Sequence, residues 1–134
     1  MKISKRQIIA IIILVILVPI GFYTKFYLGT GHEWVNNKLG GVFYELFWCL
    51  VFYSLIPKSK PFIIAVWVFI ITSLLEFVQL LNNSFLEILR SNFIGQTIIG
   101  NSFSWSDFPY YLIGSTAGYL ILMLLDNYKS DFTD

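Results

Sequence analysis

Phe62-Ile-Ile-Ala-Val-Trp-Val-Phe-Ile-Ile-Thr-Ser-Leu-Leu-Glu-Phe-Val-Gln-Leu-Leu81 is apolar for most of its length and carries Glu76 and Gln79 towards one end. At 1.5 Å per residue, about 20 such residues match the roughly 30 Å hydrocarbon core of a bilayer, so the stretch reads as a transmembrane helix. Ionisable groups in such a helix are costly unless paired or wetted, which makes them the first place to look for function. Glu76 and Gln79 lie three positions apart and so share one helix face, which is expected to turn into a bundle.

The rest of the chain agrees with a lipid setting. Its 134 residues are 57% hydrophobic, 19% aromatic and 13% charged, and mean hydropathy is +0.72, outside the balance of a soluble domain. There is room for about four spans of roughly 20 residues, hence one transmembrane domain over residues 1–134. The formal charge is +1 and the nine Lys and Arg are scattered, so no basic face exists for nucleic acid. One cysteine, Cys49, excludes an internal disulfide. One histidine, His32, leaves no His/Cys cluster for zinc, and neither metal nor cofactor is expected. No Ser/His/Asp set or phosphate loop is present, so no reaction can be read and an enzymatic role stays open.

Lys2, Lys5 and Arg6 precede the apolar run Ile8 to Ile20, after which Gly21-Phe22-Tyr23-Thr24 offers no small-x-small cleavage site. An uncleaved first span over about residues 7–24 follows, with Pro19 placed to kink it or loosen its last turn. The second span, about 41–56, opens after Gly40-Gly41 and stops at Pro57-Lys58-Ser59-Lys60-Pro61. It is short and is expected to stand steeply or be shielded. The third covers 62–81 and ends at Asn82-Asn83-Ser84. The fourth covers about 107–125, before the polar tail Asp126 to Asp134.

Four spans put both termini on one side. Lys2, Lys5, Arg6, Lys58, Lys60 and Lys129 then face Lys25, Lys38 and Arg90 across the bilayer, so both termini are expected in the cytoplasm. Residues 84–103 are too apolar for a solvated loop and too rich in Gly and polar residues for a full span. The expected fold is an all-α integral membrane protein, a compact bundle of four transmembrane helices with a re-entrant or interfacial segment at 84–103 between the third and fourth.

Glu45, Glu76, Arg90 and Asp107 fall at similar depth on the outer side, in one layer with Tyr44, Tyr110, Tyr111 and Trp105. Each has a plainer reading. Glu76 and Arg90 suit a buried ion pair that docks the outer segment, and Asp107, after Ser104 and Ser106 and before Pro109, suits a helix cap. Glu45 and the Tyr and Trp residues suit a membrane interface, and Cys49 a small apolar filler. Gly114-x-x-x-Gly118 matches the small-residue packing motif, as an internal helix contact or, alternatively, a dimer face.

Taken together, Glu76-Phe-Val-Gln79-Leu-Leu, Leu89-Arg90, Ile94-Gly95, Ile99-Gly100-Asn-Ser-Phe103-Ser-Trp105-Ser-Asp107, Tyr111 and Gly114 resemble the small bacterial membrane-protein family of unknown function DUF2809. Gly40-Gly41-Val-Phe-Tyr44 looks like that family's second-helix opening, and the likeness covers nearly the whole chain. The family is in turn distantly similar to VanZ-type proteins, which carry Glu and Gln on one helix, then Arg, then Asp, then a glycine-rich last helix. The stretch between Arg90 and Asp107 is longer and more apolar than in that pattern. The resemblance implies a bacterial inner-membrane protein with an outward-facing polar site at Glu76, Gln79, Arg90 and Asp107.

Two functions of different class follow. One is a site for a lipid-linked or amphiphilic envelope molecule, with Glu76, Gln79, Arg90, Asp107, Glu45, Trp105 and Tyr111 as candidate ligand contacts; Arg90 would hold an anionic group and the aromatics would cover a sugar or acyl part. The alternative is an accessory protein that docks on a larger membrane protein or on another copy of itself, its polar cluster serving as glue between helices. An ion-coupled transporter is least favoured, since the charges are confined to one side and no repeat is present.

Overall fold

Ser4 starts the first helix by a reciprocal cap: its Oγ accepts from the Gln7 N–H at 3.3 Å while its own N–H donates to Gln7 Oε1 at 2.8 Å. The Gln7 amide also reaches the Ser54 carbonyl at 2.9 Å, which binds the start of this helix to the end of the next long one. In the computed structural model, which describes residues 3–80, 84–99 and 104–132, every element is helical. They are α1 (Lys5–Phe26), the single turn α2 (His32–Trp34), a π-helical turn Val35–Leu39, α3 (Gly40–Leu55), α4 (Pro61–Val78), two short helices α5 (Ser84–Leu89) and α6 (Phe93–Ile99), and α7 (Asp107–Phe132). Leu81 to Asn83 and Gly100 to Phe103 lie outside the described residues. The expected end of the third span and part of the 84–103 segment fall there.

Four helical stretches are long and apolar enough to cross a membrane: Lys5–Phe26, His32–Leu55, Pro61–Val78 and Asp107–Tyr128. The protein is thus an all-helical membrane-type fold with four candidate spans. Pro19 sits inside α1, which continues to Phe26. The second stretch begins at His32, ahead of the Gly40-Gly41 pair that looks like its opening. The helix passes through both glycines, and at Gly41 a Cβ would come within 3.3 Å of the Tyr111 ring, so a bare backbone suits that contact. Gly31, at φ 71, supplies the left-handed residue that turns the chain from α1 into α2.

Neighbouring spans alternate in direction, so α3 and α7 run parallel and form the most extensive contact of the bundle, with α1 and α4 flanking α3. The buried centre is Ala10 of α1, Cys49, Leu50 and Tyr53 of α3, Ile64 and Val68 of α4, and Leu122 and Leu125 of α7. Large apolar side chains also face outward, Val15 at 64% and Leu124 at 66% exposed, while Glu45 is 0% and Glu76 1% exposed. That distribution suits hydrocarbon as the surrounding solvent, where apolar surface costs nothing and carboxyls must be covered.

Small residues let α3 and α7 come close. A Cβ on Gly114 would stand 2.6 Å from Glu45 Cβ and 2.8 Å from the Val42 carbonyl, and one on Gly118 would stand 2.7 Å from Cys49 Sγ. Gly114 and Gly118 are four apart on α7 and meet Glu45 and Cys49, four apart on α3, so one ridge seats in the other. Gly21 of α1 is different, since a Cβ there meets only Phe43 Cβ at 3.8 Å, an ordinary contact.

Gly114→Ala should therefore force α3 and α7 apart and destabilise the bundle by about 1–3 kcal/mol, as overpacking does, whereas Gly21→Ala should leave it unchanged or firmer. Thermal unfolding of the two variants in detergent checks the difference, and equal stability would refute the close-approach account.

Candidate functional site

The polar residues of the bundle follow one face of α7. Asp107, Tyr111 and Ser115 are spaced four apart, so they stack along a single stripe, and each meets a charged group of another helix. Asp107 Oδ1 receives Lys38 Nζ at 3.1 Å, Tyr111 donates its hydroxyl to Glu76 Oε2 at 2.9 Å, and Ser115 donates to Glu45 Oε2 at 2.6 Å. The stripe thus runs from the exposed end of the bundle towards its middle.

Lys38 belongs to the π-helical turn, whose extra residue per turn is recorded in the Gly40 N–H bonding back to the Val35 carbonyl. The same turn is tied to α1 by Asn36, whose amide donates to the carbonyls of Thr24 at 2.5 Å and Tyr27 at 3.1 Å, serving carbonyls at the end of that helix. Held there, Lys38 reaches Ser104 Oγ at 3.3 Å, the Ser106 hydroxyl and Asp107. Its side chain is 22% exposed and that of Asp107 19%, so the pair is shielded but open to a ligand.

Glu76 lies at the last turn of α4. Its Oε1 accepts the Ser104 backbone N–H at 2.8 Å, its Oε2 accepts Tyr111, and the Asp107 carboxyl lies beside it. One turn deeper, Glu45 has Ser115 on one oxygen, while its other oxygen has no hydrogen-bond partner among the described residues. The Thr72 hydroxyl of α4, which donates to the Val68 carbonyl at 2.9 Å, also lies against the Glu45 carboxyl.

Aromatic rings wall the site. Tyr111 lies 6.4 Å from Tyr44 and from Phe108, and the exposed Trp105 packs on Phe77 and Phe108 at 5.9 and 5.7 Å. Trp34 of α2 donates its indole N–H to the Tyr110 hydroxyl at 2.9 Å. Of the residues singled out in the sequence, the structure gathers Glu76, Asp107 and Tyr111 in one cluster, with Glu45 just below and Trp105 on the rim. Asp107 is the first residue of α7, and its carboxylate is turned to Lys38. Gln79 closes α4, its N–H bonding the Leu75 and Glu76 carbonyls. Arg90 stands in the turn between α5 and α6, with its N–H on the Leu86 carbonyl at 2.9 Å and its carbonyl receiving Gln96 at 2.8 Å.

The cation of the cluster, Lys38, was not among the residues that the sequence singled out, nor were the hydroxyls of Ser104, Ser106 and Ser115. A signal for Lys38 existed: positions 38, 45 and 49 share one face once the helix is continued back through Gly40-Gly41. A second polar knot lies at the opposite end, where Arg6 meets Asp126 at 2.5 Å and Tyr53, fully buried, bonds both.

Chemically, the upper cluster brings together the shielded cation of Lys38, the adjacent carboxyls of Glu76 and Asp107 and the hydroxyls of Ser104, Ser106 and Tyr111, an arrangement able to exchange an internal ion pair for a ligand's charge. Among the described residues no three His, Cys, Asp or Glu side chains stand close enough together to hold a metal ion. A family model for proteins of unknown function, DUF2809, matches residues 30–115, which include Lys38, Glu45, Glu76, Asp107, Tyr111 and Ser115. No curated protein and no solved structure matches the chain. The matched region holds the whole polar stripe and most of the chain, and the protein belongs to the DUF2809 family of proteins of unknown function.

Proposed function

We propose that the cluster around Lys38, Glu76 and Asp107 binds the polar part of a lipid-linked or amphiphilic molecule of a bacterial cell envelope. The observation that carries this reading is the shielded but reachable Lys38–Asp107 pair at the end of a bundle otherwise clad in apolar side chains. An anionic group entering from the bilayer would take Lys38 from Asp107, with Ser104 and Ser106 as further partners and Arg90 as a second cation on the 84–103 segment. Tyr111 and Trp105 would cover the adjoining sugar or acyl part. The bias of Lys and Arg supports an orientation with the termini in the cytoplasm and this cluster at the outer face of an inner membrane.

A second reading has its own support. Both oxygens of Glu76 and one of Glu45 are taken up by donors inside the protein, as expected if the stripe is glue between helices and the protein serves as an accessory to a larger membrane partner.

Native mass spectrometry of the purified protein beside Lys38→Met, Arg90→Met and Glu76→Gln separates the two. The binding reading expects a defined anionic amphiphile on the parent that is absent from the folded Lys38→Met variant. Folded variants that keep the same bound species, or a parent that carries none, would sink it in favour of the glue reading. Stability provides a second check. Tyr111→Phe removes one donor from a buried carboxylate and should cost about 1–3 kcal/mol. In a double-mutant cycle, Lys38→Met and Asp107→Asn should show a coupling of about 0.5–3 kcal/mol in detergent unfolding, and a coupling near zero would show that the pair holds nothing.

A further inference from the structure

Between α1, α3 and α6 lies a half-open cavity of about 340 Å³. Its floor and walls are apolar, formed by Leu17, Gly21, Phe43, Phe47, Trp48 and Phe93, and one cation, Lys25, stands at its edge. Lys25 sits 6.0 Å over the Phe93 ring and has no carboxylate partner among the described residues. From Leu17 to Lys25 the groove follows α1 for about 12 Å, given 1.5 Å per residue, so it descends from the bundle end that carries Lys38 towards mid-membrane. Tyr44 lines this groove and its ring lies tilted, 6.4 Å from that of Tyr111, the residue that holds Glu76, so groove and polar cluster share a wall.

A slot open to lipid fills with acyl chains, and what makes this one selective is the charge at its mouth. We propose that the groove is an acyl-chain subsite for an anionic amphiphile, one chain lying along α1 over Gly21 while the headgroup anion rests on Lys25. The inference deepens the binding function proposed above and rests on it: one ligand would present its chain to the groove and its polar part across Tyr44 to the Lys38 cluster. Gly21 matters because it lines the groove without a side chain, and a Cβ there meets only Phe43 Cβ at 3.8 Å, on the wall of the same groove. Phe93 closes the other side, and its rings contacts with Phe22 at 5.7 Å and Phe26 at 5.8 Å dock α6 on α1.

The test uses the full chain in phosphatidylcholine nanodiscs containing either phosphatidylglycerol or phosphatidylcholine with a nitroxide deep in one acyl chain. Electron paramagnetic resonance reads the motionally restricted fraction. The parent should hold phosphatidylglycerol over phosphatidylcholine by about fivefold, the value of one cation near an anionic headgroup. Lys25→Gln should erase the preference yet keep a restricted component, and Gly21→Leu should lower that component for both lipids to what the rest of the bundle surface restricts. Equal restriction of the two lipids in the parent, or an unchanged component in folded Gly21→Leu, overturns the proposal. A change in Gly21→Leu of oligomeric state alone, with the lipid signal intact, overturns it in favour of a protein occupant. Lys38→Met measured in parallel keeps the two inferences apart. Loss of the signal there with Gly21→Leu silent removes the groove and spares the polar site, and the reverse spares the groove alone.

Discussion

A carboxyl surrounded by hydrocarbon must find its donors within the protein, and here they come from one helix brought close to another. The approach of α7 to α3 at Gly114 and Gly118 is the constraint on which the remainder depends. It sets Ser115 on Glu45 at 2.6 Å and by the same parallel register carries Asp107 to Lys38, while α4, antiparallel to α7, brings Glu76 to Tyr111. A side chain at position 114 would push against the Val42 carbonyl and the Glu45 Cβ, which neither helix can yield cheaply. The polar stripe is thus a consequence of small residues as much as of charged ones.

The register is held at both ends. At one, Arg6, Tyr53 and Asp126 join α1, α3 and α7; at the other, Lys38 and Asp107 join the π-helical turn to the start of α7. A slip of α7 by one turn against α3 would break both ion pairs and bury carboxyls without partners, a penalty far above that of losing a few apolar contacts. Between the two knots the hydrogen bonds of Tyr111 to Glu76 and of Ser115 to Glu45 add direction, while Cys49 against Gly118 and the aliphatic core specify shape. Electrostatics fixes the sliding coordinate, and packing fixes the distance.

The π-helical turn has a comparable role at the site itself. The wider turn keeps Lys38 over α7 while Asn36, two positions earlier, serves the last carbonyls of α1. One local irregularity therefore links α1, α3 and α7 and presents a cation at the rim, beside the groove in which Gly21 leaves room.

Much of this was legible in the amino-acid sequence. Apolar runs of bilayer length determine four helices that can span a membrane, because in lipid the backbone has few other ways to satisfy itself, and Glu45, Glu76 and Asp107 stand out within those runs because charge there is costly. Helical spacing likewise puts Gly114 and Gly118 on one face. The partner of each charge was not legible. Arg90 and Lys38 are both cations in connections near the same end, and only the fold brings Lys38 onto Asp107. Gly40-Gly41 looks like the opening of the second span, yet helical turns from His32 precede it and Tyr111 packs on Gly41. Local composition determines what each segment must bury; which groups meet is decided by register and rotation between helices, which depend on contacts far apart in the chain.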